Sequence, residues 1–222
     1  MPQPTLRACI FDLDGVIVDT AKFHYQAWKT LAHGLGFDFT EHDNERLKGV
    51  SRMRSLEIIL EIGQQTLPED QKLALATRKN EAYLEDVHRM TEADVLPGVR
   101  RFLEECRAAG LKTALGSASK NARLILDRVN LLPLFDAIVD GTDVANAKPD
   151  PEVFLKGAEA LGVEPTHCVV FEDAVAGLEA ARNGGMHCVG VGDVTILAEA
   201  DFVIPGFEDM TVARLQELEV CH

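Results

Sequence analysis

Two aspartates one residue apart, Asp12 and Asp14, end a short apolar run from Ala8 to Phe11, and a glycine follows at position 15. The run reads as a buried strand. At period two, both carboxylates leave an extended backbone on the same side and share one small site. Such a pair is unfavourable unless a cation lies between the oxygens or one carboxyl keeps its proton, and both remedies are chemically useful. A lone D-x-D is also a common acidic turn, so its meaning depends on what else the chain brings beside it.

Three further positions offer partners. Ser117 follows Ala114-Leu115-Gly116 at the close of a second apolar run. There a hydroxyl and nearby N–H groups can serve phosphate oxygens, or simply cap the next helix. Lys148 precedes Pro149-Asp150-Pro151, a stiff turn that holds an ammonium group in place. Glu172-Asp173 closes the run 168–171 and can complete an oxygen cage with Asp12 for a hard cation such as magnesium, or act as an acidic helix start.

These residues need a scaffold. From residue 99 onward helical and strand patterns alternate: helices at 99–109, 121–129, 151–161 and 174–183, strands at 112–115, 137–139, 168–171, 187–191 and 202–204. Apolar strands separated by helices predict a parallel sheet covered on both faces. In such sheets ligands bind beyond the carboxyl ends of the strands, where all the candidates fall. Between residues 19 and 91 the pattern is helical throughout. Phe23, Ala27, Leu31 and Leu35 mark a first helix stopped by Gly34 and Gly36, followed by helices at 44–50, 55–62 and 68–90. The polar run Arg78-Lys79-Asn80 inside the last reads as a solvated face. The expected organisation is therefore an α/β core of residues 1–18 and 92–222 with a helical cap at 19–91. The tail after Gly192 adds no informative motif.

Composition narrows the partners. The chain has 222 residues, 46% of them apolar, and 36 acidic against 22 basic residues, a formal net charge of -14. That charge repels nucleic acid and anionic membranes. Residues 1–7 do not read as a secretion signal and no run has membrane length, so the protein is expected in the cytosol. Cys9, Cys106, Cys168, Cys188 and Cys221 form no C-x-x-C pair and read as reduced packing residues.

The order Asp12-x-Asp14, Ser117, Lys148, Glu172-Asp173 resembles the four-motif pattern of the haloacid dehalogenase-like superfamily, and 11–20 resembles its first motif. The helical insert is similar to the cap of one subgroup. The resemblance implies a Rossmann-like parallel core, Asp12 as nucleophile toward phosphorus and Asp14 as general acid/base. It also implies Mg2+ held by Asp12, the Asp14 carbonyl, Glu172 or its water, and Asp173. The stretches 19–24 with Ala27-Trp28, 47–52 with Ser55-Leu56, 78–80 and 117–121 resemble the branch that moves a phosphoryl group between positions 1 and 6 of glucose. On that pattern His24 and Lys79 reach in from the cap and Thr20 sits at the hinge. Arg52, Ser119, Lys120 and Asn121 hold the phosphate remote from Asp12, while Trp28, Gly49 and Val50 shape the sugar site. Ser51, Ser55 and Ala118 fall in the same binding segments, and Ser117 and Lys148 assist at Asp12. One departure is Ala174, where relatives often carry Ser.

The implied activity is interconversion of β-D-glucose 1-phosphate and D-glucose 6-phosphate by a monomer acting on small-molecule sugar phosphates. It would proceed through an aspartyl phosphate and β-glucose 1,6-bisphosphate. The alternatives are a sugar-phosphate phosphatase of the same fold and a non-catalytic phosphosugar binder. A bisphosphate that turns around must be held at two anionic ends with water excluded. An acidic chain must then gather cations locally, and Arg52, Lys120 and Lys148 are the candidates.

Overall fold

Cys9 and Phe11 point to one side of the first strand and Ala8 and Ile10 to the other, and all four are completely buried. A strand apolar on both faces needs cover on both. The computed structural model, which describes residues 6–219, supplies it. β1 (Ala8–Phe11), β2 (Lys112–Gly116), β3 (Ala137–Val139), β4 (Cys168–Glu172), β5 (His187–Val191) and β6 (Phe202–Ile204) form one parallel six-stranded sheet in the order β3-β2-β1-β4-β5-β6. One face packs on α5 (Val99–Ala108) and α6 (Ala122–Arg128) through Phe102, Leu103, Ile125 and Leu126. The other packs on α7 (Glu152–Leu161) and α8 (Val175–Asn183) through Phe154, Ala158, Leu178 and Ala181.

Register fixes where the chemistry sits. Phe11 pairs with both Leu115 and Phe171, so the next residue, Asp12, emerges level with the ends of β2 and β4. Its N–H donates to Phe171 O at 3.0 Å. The chain runs outward from β1 through β2 and β3, then returns to β4 on the other side. β1 is therefore the switch point at which a crevice opens in such sheets. Below it Phe11 stacks on Phe171 at 4.9 Å, and Phe102 meets Phe11, Phe171 and Phe207 at 6.2, 5.4 and 5.4 Å.

The segment after β1 holds α1 (Ala21–Gly34), α2 (Glu41–Glu45), α3 (Arg52–Ile62) and α4 (Glu69–Val87). Trp28, Ala32, Phe39, Leu56, Ile59 and Ala76 give them a core of their own, whereas Ala27, Tyr83, Val87 and Met90 join the core beneath the sheet. One sequence expectation is corrected. The second helix occupies Glu41–Glu45, not 44–50, because Thr40 and Asp43 form a capping box that starts it early: Asp43 N–H donates to Thr40 Oγ1 and Thr40 N–H to Asp43 Oδ2. Beyond β6 the chain adds α9 (Val212–Glu219), whose Val212 and Leu215 complete the core beside α5. Arg101 secures the turn before it, donating to the carbonyls of Phe207, Glu208 and Met210 at 2.9–3.0 Å. Cys9, Cys106, Cys168 and Cys188 are buried free thiols, and Cys221 lies outside the described residues.

Phe102→Ala removes the ring shared by β1, β4 and the turn before α9 without touching any residue at the crevice. Urea unfolding is expected to show a loss of about 3–5 kcal/mol.

Candidate active site

At the centre of the crevice is a cation with almost no access to water. The Lys148 side chain is 1% exposed, and its Nζ donates to Asp12 Oδ1 at 2.6 Å and to Glu172 Oε1. Burial opposes the charge, but the two carboxylates more than offset it and raise the Lys148 pKa. Glu172 is fixed by its other oxygen, which accepts the Ala174 N–H at 2.9 Å. It is also fixed by Gly177, where a Cβ would lie 2.0 Å from the Glu172 carboxylate. Asp173 packs against Gly15, whose φ of +79° and lack of a Cβ let the first loop pass within reach of the carboxylate. Lys48 Nζ reaches Asp173 from the helical segment at 3.6 Å.

Oxygens of Asp12, Glu172 and Asp173 all lie within 4.8 Å of one another. Burial and then the neighbouring carboxylates push the Asp12 pKa well up, with Lys148 only partly opposing. Burial and Glu172 push Asp173 to about 7. Crowded anions of this kind, offering only oxygen donors, fit a hard divalent cation, whose charge would remove the repulsion.

Asp14 has different partners. The chain turns at Gly15, and Asp14 Oδ1 accepts from the Thr20 hydroxyl and stands 3.7 Å from His24 Nε2. Thr20, at the N-cap of α1, does not use its hydroxyl to cap that helix. Burial opposes ionisation of Asp14, yet His24, Thr20 and Lys79 together hold its pKa below the usual value. His24 Nδ1 lies 2.7 Å from Lys79 Nζ. Burial and Lys79 lower the His24 pKa, so a neutral ring that accepts from Lys79 presents its Nε2–H to Asp14. The expectation that 78–80 forms a solvated face fails at Lys79: the neighbours are more open, but Lys79 itself is 4% exposed. It sits between the rings of Trp28 and Tyr83 at 4.6 and 4.7 Å. Burial and Arg52 bring its pKa down to about 7.

A cavity of about 580 Å³ separates the helical segment from the strand ends. Every candidate from the sequence lines it except Thr20, Lys148 and Glu172, which lie behind its wall. Ser117 does not cap a helix, since α6 begins only after Asn121. Its Oγ accepts from Ser119 N–H at 3.1 Å, and Ser119 Oγ accepts from Asn121 N–H at 3.2 Å, so the hydroxyls shape the loop. Asn121 Nδ2 donates to Asn80 Oδ1 of α4 at 3.0 Å, joining the two sides. Arg52, on the helical side, and Lys120, opposite, line the cavity without a carboxylate partner among the described residues. Sequence reasoning gave no role to Lys48, Asn80, Gly141 or Gly177. Lys48 and Asn80 sit inside quoted stretches, but nothing local says which way they face. Gly141 is needed because a Cβ there would lie 2.2 Å from Ala118 O.

The family model for haloacid dehalogenase-like hydrolases matches residues 6–185, and the chain belongs to that family. It is 42% identical over 214 residues to a protein of Bacillus subtilis (strain 168) named beta-phosphoglucomutase, with 96% of this chain and 95% of the relative covered. It is also 36% identical over 182 residues to the fructose-1-phosphate phosphatase YqaB of Escherichia coli (strain K12), covering 82% and 94%. Among solved structures, beta-phosphoglucomutase (pgmB) from Clostridium difficile superposes with a TM-score of 0.94 at 40% identity, covering 97% of this chain and 98% of that one.

The Lys79 geometry carries a pH signature. With a native pKa of about 7 and an unfolded value of about 10.4, the unfolded chain holds the extra proton between them, so wild-type stability rises with pH across that window. Lys79→Met removes the titration. Unfolding measured from pH 7 to 10 is expected to show the mutant's stability gain largest at pH 7 and falling by up to about 1.4 kcal/mol per pH unit. A pH-independent difference would place a protonated lysine there throughout, with a pKa close to its unfolded value.

Proposed function

We propose that the chain interconverts β-D-glucose 1-phosphate and D-glucose 6-phosphate, with residues 19–91 acting as a cap over the core. The observation that carries this reading is the pair of cations, Arg52 and Lys120, that have no carboxylate partner among the described residues and line the same cavity as Asp12. One phosphate reacts at Asp12, and a second needs charges elsewhere. A single-phosphate hydrolase has no such need. The 42% identical relative named beta-phosphoglucomutase supports the same choice.

In this reading Asp12 attacks phosphorus and becomes an aspartyl phosphate, while Lys148 offsets its charge. Asp12, the Asp14 carbonyl, Glu172 and Asp173 would hold Mg2+, which supplies charge neutralisation at the phosphoryl oxygens. Asp14, kept ionised by Thr20, His24 and Lys79, takes the proton from the 6-hydroxyl of β-glucose 1-phosphate as that oxygen accepts the phosphoryl group from Asp12. The product is β-glucose 1,6-bisphosphate. After it turns around, Asp12 takes the 1-phosphoryl group and Asp14 returns the proton to the departing O1, leaving glucose 6-phosphate. Ser117 orders the proximal loop. Arg52, Ser51, Ser119, Lys120 and Asn121 hold the distal phosphate, and Trp28, Gly49, Val50, Ser55 and Ala118 border the sugar. Thr20 serves as the hinge. The enzyme acts as a cytoplasmic monomer. No helix among the described residues is long and apolar enough to cross a membrane.

The second reading, a sugar-phosphate phosphatase, has support from phosphatases among the relatives. One assay separates the two: Mg2+, β-glucose 1-phosphate and a trace of the bisphosphate, with glucose 6-phosphate and inorganic phosphate both measured. Wild type is expected to make glucose 6-phosphate almost alone. Arg52→Ala removes charge-assisted bonds worth roughly 1.5–3 kcal/mol each, so isomerisation is expected to drop about ten- to several-hundred-fold and the phosphate fraction to rise. Wild type releasing mainly phosphate would make the protein a phosphatase, and an unchanged ratio in the mutant would remove Arg52 from phosphate binding.

A further inference from the structure

The wall of the cavity beside Lys148 is a stretch with no regular structure, and Val144, Ala145, Asn146 and Ala147 from it face the cavity. Lys148 follows directly. A buried ammonium that must meet Asp12 at 2.6 Å cannot be aimed by a loop left to itself. α7 supplies the restraint. Glu152 Oε2 accepts two successive backbone N–H groups, from Ala145 at 3.0 Å and Asn146 at 2.8 Å. Glu152 Oε1 pairs with Lys156 Nζ at 2.7 Å, and Lys156 Nζ donates to Asp143 O at 2.6 Å. One helical turn of α7 thus holds both ends of the stretch 143–146.

We propose that Glu152 is a positioning residue for phosphoryl transfer: its carboxylate, braced by Lys156, fixes the 143–146 wall and through it the approach of Lys148 to Asp12. The inference rests on the proposed transfer at Asp12. Helix capping does not account for Glu152. At the start of α7 Glu152's own N–H donates to Asp150 Oδ1 at 2.9 Å. The Glu152 carboxylate faces out of its helix, into the loop. Lys156 and the two N–H groups hold its carboxyl at about 2, so the acceptor stays ionised over the working range of pH.

The test compares E152A, E152Q and E152D by kcat, KM for β-glucose 1-phosphate and melting temperature. A small misplacement of a group at the reacting centre costs up to about a hundred-fold. E152A is accordingly expected to lower kcat about ten- to a hundred-fold with KM less changed, since the groups assigned to the sugar and distal phosphate lie outside residues 143–146. E152Q keeps an oxygen at the right reach and is expected to recover most of the loss. E152D keeps the charge but falls one methylene short, and is expected to remain impaired. Should E152A fail to fold, the order E152Q above E152D carries the same test. The proposal is overturned if E152A melts lower with wild-type kcat, or if E152D outperforms E152Q. Wild type that only hydrolyses the sugar phosphate would sink the isomerase reading, and hydrolysis rates would then give the same comparison. Wild type with no phosphoryl transfer at all would overturn both.

Discussion

A lysine ammonium buried to 1% exposure is tolerable only where carboxylates replace the water it has lost, and Lys148 has two, Asp12 and Glu172. Taking these charges from water costs several kcal/mol per ion, so such a cluster is weak evidence of stability and better evidence of work to be done. The arrangement remains short of positive charge, because Asp173 joins the same oxygens. That deficit suits a site built for a hard cation and a phosphoryl group together. The sheet exists, in this sense, to hold three strand ends level: the register of β1 with β2 and β4 puts Asp12, Ser117 and Glu172 side by side. Gly177 and Gly15 give the carboxylates room.

The second constraint is the separation of the two aspartates. They are one residue apart, yet Asp12 belongs to Lys148 and Asp14 to Thr20 and His24. Burial pushes one pKa up, and His24, Thr20 and Lys79 bring the other down. Similar side chains in different surroundings can take different roles, which supports the proposed assignment of a nucleophile and its acid/base partner. Because His24 and Lys79 come from the helical segment, the state of Asp14 is tied to how that segment sits on the core. The contacts of Lys48 with Asp173 and Asn80 with Asn121 tie it at two more points.

Much of this was legible in the sequence because strand-end chemistry has a local signature. The apolar runs before Asp12, Ser117 and Glu172 announce buried strands, and the polar residues that end them fall on one edge by the rule of parallel sheets. Helix α2 was misplaced since a five-residue helix has no apolar period to read, and only the Thr40–Asp43 box marks it. Lys79 was misread for a different reason. Two polar neighbours hide the fact that position 79 shares a helix face with Ala76 and Tyr83, both buried. The Glu152 clamp was invisible because it acts on main-chain N–H groups, which every sequence has. The close approach that demands Gly141 likewise depends on two distant loops meeting.

The central claim is that Asp12 carries the phosphoryl group. Protein mixed with Mg2+ and β-glucose 1,6-bisphosphate, quenched within a turnover and reduced with borohydride, converts an aspartyl phosphate into homoserine, which peptide mass spectrometry locates. The account predicts homoserine at position 12 and at no other acidic residue. Turnover of the bisphosphate with position 12 unmodified, or with the label at another position, would contradict it.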